Sequence, residues 1–87
     1  CYDLNKTGQN YTSLINEIKK SSDFRKPMES YWLVKTNESA DQLYNRLAKF
    51  IDSNDRLIVT QVTRQYSGWL AKDVCDWLSI YSHELAS

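Results

Sequence analysis

Eighty-seven residues with 41% hydrophobic content, three Trp and six Tyr suffice for one packed core and are too few for two. Eleven Lys and Arg balance eleven Asp and Glu, so no global charge draws the chain to nucleic acid or to an anionic membrane, and such binding has to come from a local patch. Two Gly and one Pro exclude a linker-rich or disordered chain, and no apolar run reaches the roughly 20 residues of a membrane span, so the expectation is one cytoplasmic domain over residues 1–87.

Cys1 to Leu4 reads as the tail of a strand, followed by a connection over residues 5–9. Such a strand is too short to be central, which leaves two expectations: apolar residues precede Cys1, or the strand is marginal. Asn10 is placed to cap a first helix over 10–21, because Tyr11, Leu14, Ile15 and Ile18 recur at helical spacing. Lys19 and Lys20 close it where the helix dipole favours cations.

From Phe24 to Thr36 the period changes, since Pro27 forbids a helix interior and SYWLVKT is rich in aromatic and branched residues. Tyr31 and Leu33 should face one side of this strand and Trp32 and Val34 the other, so both faces are apolar. FRKPM is either a separate edge strand or a bent entry to the same one. Ser39 and Gln42 then form a capping box, and Ala40, Leu43, Tyr44, Leu47 and Ile51 predict a second helix over about 40–51. DRLIVTQVT follows as a strand. Leu70, Val74, Trp77, Leu78, Tyr81 and Leu85 predict a third helix from about 69 to 84, capped by Ser67. The order suits helices packed on one face of a small mixed sheet.

Common catalytic signatures are missing: there is no HExxH, GxSxG, Walker loop or CxxC, and Gly8 and Gly68 stand alone. His83 reads as a solvent-facing residue near a helix end, and Cys75 as a small core residue on the third stripe. Trp69, Trp77 and Tyr81 could stack bases, but their spacing with Leu70, Val74 and Leu78 fits core or interface packing better. Capping and turn roles explain Asp41, Asp52 and Asp55, while Asp73 and Asp76 belong to the polar side of the third helix. Asp3 differs, because a strand-end carboxylate can project past the sheet and meet a ligand; a turn role and a metal-binding role both stay open for it. Lys19, Lys20, Arg25 and Lys26 could neutralise phosphates if the fold gathers them on one edge.

Three stretches taken together, YDL, MESYWLVKT and FIDSNDRLIVTQV, resemble the CRISPR-associated protein two superfamily, and SYWLVKT is closest to its SinR-like branch, with the VapD-like toxins as further relatives. The shared features are Asp3 closing strand one, Ser30 with Trp32 in the middle strand, and Ile51-Asp52 before the strand from Leu57 to Val62. Lys6 and Arg25 stand only approximately where the family carries arginines.

The resemblance covers roughly residues 1–63 and implies a ferredoxin-like βαββαβ core there, with FRKPM and SYWLVKT as separate strands and a C-terminal helix over 67–85. It implies a homodimer in which Asp3 of each subunit faces its counterpart and holds Mg²⁺ or Mn²⁺, with Ser30 orienting a water or phosphate. The implied function is metal-dependent endonuclease action on RNA or DNA in antiviral defence. The alternative on the same dimeric fold is a non-catalytic DNA-binding or protein-interaction adaptor, working with another defence-system protein.

Overall fold

The structure is a computed structural model that describes residues 1–5 and 11–86. The connection ahead of the first helix, with Lys6, Gly8 and the expected cap Asn10, lies outside the described residues. The described chain is a small α+β protein with three helices and two separate two-stranded antiparallel sheets.

The first strand, β1, is Tyr2–Asp3, and the first helix, α1, is Thr12–Ile18. A hairpin follows, made of β2, Asp23–Met28, and β3, Tyr31–Lys35. Next come α2, Ala40–Ala48, then β4, Arg56–Leu57, and α3, Lys72–Ile80, with a 3-10 turn over Ser82–Glu84. Strand β1 pairs with β4, setting Tyr2 against Leu57 and Asp3 against Arg56.

The alternation read in SYWLVKT organises the packing. Trp32 and Val34 meet the core built from Leu14 and Ile18 of α1 and Leu43 and Leu47 of α2. Leu33 and Tyr31, on the opposite face, meet Val74, Trp77 and Leu78 of α3. Both faces of the hairpin are therefore covered, as the side-chain period of two requires of a strand apolar on each side. This corrects the expectation of helices on one face: α3 occupies the other.

Helix α2 starts as its sequence dictates. Ser39 Oγ accepts from Gln42 N at 3.1 Å, and Gln42 Oε1 accepts from Ser39 N at 2.9 Å, closing the capping box. Helix α1 ends at Ile18, with Lys19 and Lys20 in the turn beyond it.

The expected single ferredoxin-like sheet is not seen. Only two residues of β1 pair with β4, and the backbone link from β1 towards the hairpin is one bond, Tyr2 N–H to the Ser30 carbonyl at 3.0 Å. The long fourth strand shrinks to Arg56–Leu57 for the same reason, since a ladder extends only as far as its partner. Helix α3 also begins later than the stripe implied. Ala71 precedes it, Ser67 does not cap it, and Trp69 lies ahead of it with 98% of its surface exposed. Cys75 is exposed as well, so its core assignment fails. It is one residue past Val74 and so turns about 100° off the buried stripe formed by Val74, Trp77 and Leu78.

Candidate functional site

Asp3 is held from below. Tyr2 and Leu4, its two neighbours, pack on the α1/α2 core, and the Tyr2 hydroxyl accepts a hydrogen bond from Trp32 Nε1 at 3.2 Å. Period-two alternation then turns Asp3 to the opposite, solvent side of the β1–β4 ladder. Opposed residues share a face, so Asp3 lies with Arg56, and Cys1 with Ile58, on one exposed surface. Leu57 and Val59 turn inward with Tyr2 and Leu4. Ile58 is 60% exposed, an apolar residue at the middle of this outward face.

Among the described residues no group donates a hydrogen bond or forms an ion pair to the Asp3 carboxylate, so both oxygens are available to a ligand. Nor do three His, Cys, Asp or Glu side chains converge anywhere among them. A cation at Asp3 would need further ligands from water or from a second chain, because divalent Mg²⁺ takes six oxygens.

Ser30 is not in a strand. It sits with Glu29 in the turn between β2 and β3, at a φ of 58°, the left-handed region that favours glycine. Its carbonyl receives the Tyr2 N–H, so the turn touches the residue next to Asp3 through the backbone.

The four cations are not gathered on one face. Arg25 lies on the α3 side, bonded to Asp23 at 3.1 Å with its guanidinium 5.5 Å from the Trp77 ring. Lys26 turns to the other side of the hairpin, 5.6 Å from the Trp32 ring, with Glu29 at 3.7 Å. Lys20 pairs with Glu17 at 2.9 Å, and Lys19 is exposed just past the end of α1. Alternation along β2 splits Arg25 from Lys26, which a linear reading of charge does not reveal.

Three polar centres hold this framework, and the sequence pattern did not single them out. Asp23 accepts from Trp77 Nε1 and the Tyr81 hydroxyl, each at 2.9 Å, and from Phe24 N at 2.8 Å. The Trp77 bond, then the Tyr81 bond, hold the Asp23 carboxyl below its ordinary range, and the hydrogen bond that Tyr81 donates to Asp23 pushes the Tyr81 phenol up. A carboxylate with so many donors is a poor proton acceptor, so Asp23 anchors α3 and does not serve as a base. The signal for it was present: Trp77 and Tyr81 are polar-tipped aromatics four apart on a buried stripe, and such tips need an acceptor.

Arg46 joins α2 to the end of α1 and to the loop ahead of α2. It reaches Glu38 at 2.8 Å, the Glu17 carbonyl at 2.7 Å and Ser21 Oγ at 3.3 Å. Hydrogen bonding to Arg46 lowers the Glu38 carboxyl. Asp55, buried at 9% exposure, accepts from Asn5 N at 2.9 Å, Tyr11 Oη at 2.8 Å and Asp52 N at 2.8 Å. It fastens the chain just after β1 to the start of α1 and to the 52–55 turn, which fixes the path of the strand that carries Asp3.

No helix among the described residues is long and apolar enough to cross a membrane. The chain matches no protein-family model, no curated protein and no solved structure.

Proposed function

We propose that this chain acts on nucleic acid as a homodimer of the CRISPR-associated protein two superfamily type, with the Asp3 carboxylates of two copies sharing a Mg²⁺ or Mn²⁺ ion. The observation that carries this reading is the outward face of β1–β4, where an unbonded Asp3 lies beside the exposed apolar Ile58. Pairing of that face about a twofold axis would bury Ile58 and set two carboxylates side by side. One carboxylate per chain holds Mg²⁺ weakly, whereas two with waters suit its octahedral preference. When bound, the ion supplies an activated water at a phosphodiester of RNA or DNA.

The chain's own residues set the frame for that step. Tyr2 and Leu4 fix the strand, Arg56 offers a positive charge beside Asp3 for a phosphate, and the strained Ser30 turn abuts Tyr2. In the same reading β1 lies between β4 and β3 as the second strand of a ferredoxin-like sheet, supported by the Tyr2 N–H to Ser30 carbonyl bond and the Trp32 to Tyr2 bond. The test is cleavage of RNA and DNA with Mg²⁺ or Mn²⁺. Asp3→Asn should abolish it while the dimer survives; cleavage unchanged in that variant removes Asp3 from the chemistry.

A second reading, a non-catalytic adaptor for DNA or a protein of a defence system, is favoured by the bare Trp69 indole, a surface of the kind that anchors a partner. Binding of DNA or a protein partner that weakens in Trp69→Ala, with no turnover under any metal, would select it.

A further inference from the structure

A hollow of about 480 Å³ opens between the loop after Val62 and the 3-10 turn, lined by Arg64, Tyr66, Ser82, His83 and Leu85. The backbone is pinned on both sides of it. Arg64 N donates to the Ala86 carbonyl at 2.8 Å, which ties the loop to the chain beyond the turn, and Gln65 N donates to Thr63 Oγ1 at 3.2 Å. The turn is closed by Glu84 N on the Tyr81 carbonyl at 2.9 Å and Leu85 N on the Ser82 carbonyl at 3.2 Å, and Tyr81 is itself fastened to Asp23.

Among the described residues the lining carries hydrogen-bond donors and no carboxylate. Arg25 and Arg46 are neutralised by Asp23, Glu17 and Glu38, whereas Arg64 has neither an ion pair nor a side-chain hydrogen bond. The His83 side chain is unbonded as well, and both residues are exposed. Glu84, next to His83, turns away to Lys35 at 3.8 Å. Ser82 Oγ donates to the Ser79 carbonyl at 2.9 Å and Tyr81 N to the Leu78 carbonyl at 3.2 Å, so these end carbonyls of α3 are already satisfied. The Ser82 hydroxyl is left with its lone pairs alone. Tyr66 is 49% exposed, its ring half open.

We propose that the hollow binds a nucleoside phosphate. The unpaired Arg64 guanidinium presents a fork of donors that matches phosphate oxygens, and the His83 imidazole N–H adds another. The half-open Tyr66 ring offers a face on which a base stacks. The Ser82 oxygen, its proton committed to Ser79, accepts from a sugar hydroxyl. A bare inorganic anion would use Arg64 and His83 and leave the Tyr66 ring and the Leu85 side chain without a partner. The volume falls within the roughly 300–1,000 Å³ of small-molecule sites, room for base, sugar and phosphate together. The nucleotide is free or belongs to a single strand, since both present the same three groups. None of these residues lies on the Asp3 face, and Trp69 is not in the lining, so the site goes beyond both readings above.

The experiment is NMR titration of the full, isotope-labelled chain with adenosine monophosphate, and in parallel with adenosine, inorganic phosphate and a single-stranded oligoadenylate. Adenosine monophosphate should shift the amides of Arg64, Tyr66 and His83 saturably and bind about tenfold more tightly than adenosine or inorganic phosphate. Arg64→Gln should weaken it about tenfold, the worth of one charge-assisted hydrogen bond. Tyr66→Ala should weaken it about as much while leaving inorganic phosphate unaffected. Both side chains are exposed, so the fold survives their replacement. Tighter binding of the oligoadenylate than of the mononucleotide assigns the site to a strand, and no gain over the mononucleotide assigns it to a free nucleotide. No saturable shift at millimolar nucleotide, equal affinity for inorganic phosphate, or binding unchanged in Arg64→Gln would each overturn the proposal. Asp3→Asn and Trp69→Ala should leave this binding unchanged, so failure here is told apart from failure of the metal or the adaptor reading.

Discussion

Replacing Leu14 by Ala tests the packing on which the position of Asp3 depends. Leu14 is the one side chain among the described residues that is fully enclosed, at 0% exposure, and its cluster touches Tyr2 and Leu4 on either side of Asp3. Deleting three carbons forfeits about 2.4 kcal/mol of transfer free energy at roughly 0.8 kcal/mol per methylene. The residual cavity adds about 24 cal/mol for each Å³ that fails to close, which brings the expected loss to about 3–4 kcal/mol. A chain of 87 residues has about 4–13 kcal/mol in total, at roughly 0.05–0.15 kcal/mol per residue, so the loss is a large share of it. At about 4–8 °C per kcal/mol for a domain of this size, the midpoint of a thermal melt followed by circular dichroism should fall by roughly 12–30 °C. A loss below about 1 kcal/mol in urea titration would refute the enclosure of Leu14 and the α1–α2 core with it.

Trp77→Ala should destabilise by about 3–5 kcal/mol, whereas Trp69→Ala should stay within about 0.5 kcal/mol, since one indole is buried and the other bare; equal losses would restore the continuous helical stripe. Ser30→Gly should stabilise by about 1 kcal/mol in chemical denaturation by relieving the left-handed backbone, and a loss instead would show that the hydroxyl matters to the fold. The Asp23 and Glu38 carboxyls are depressed in the folded state, so their stabilisation is present above the ordinary carboxylate values of 3.8 and 4.5 and is lost as pH falls through the depressed folded values. Tyr81 is raised above its ordinary 10.0, so its share is present below that value and is lost as pH rises through the raised one. Near-ultraviolet circular dichroism of Trp77 should report both limbs, and Asp23→Asn should flatten them; an unaltered profile in that variant would detach Asp23 from α3.

Patterns within one element were legible in the sequence. The two-sided alternation of Tyr31 to Val34 and the Ser39–Gln42 box depend on residues close in the chain, and both are found. What needed partners was not legible. DRLIVTQVT has the composition of a strand, yet only Arg56 and Leu57 pair, because the stretch beyond Ile58 faces a groove in place of a neighbour. The third stripe was extended back to Trp69 by spacing alone, although nothing in spacing says where a helix starts when no side chain caps it. The positive cluster failed for a related reason: Arg25 and Lys26 are adjacent in sequence and therefore opposed in a strand. Asp23 anchors α3 because Trp77 and Tyr81 arrive from more than fifty residues away, a distance no local pattern spans.

The reading of Asp3 as half of a shared metal site is tested most directly by calorimetric titration of Mn²⁺ into the purified protein at low salt, with its oligomeric state measured alongside. The proposal predicts a dimer that binds one ion for every two chains, with binding lost and dimerisation kept in Asp3→Asn. Binding of one ion per chain, binding unchanged in Asp3→Asn, or no heat of binding at all would contradict it.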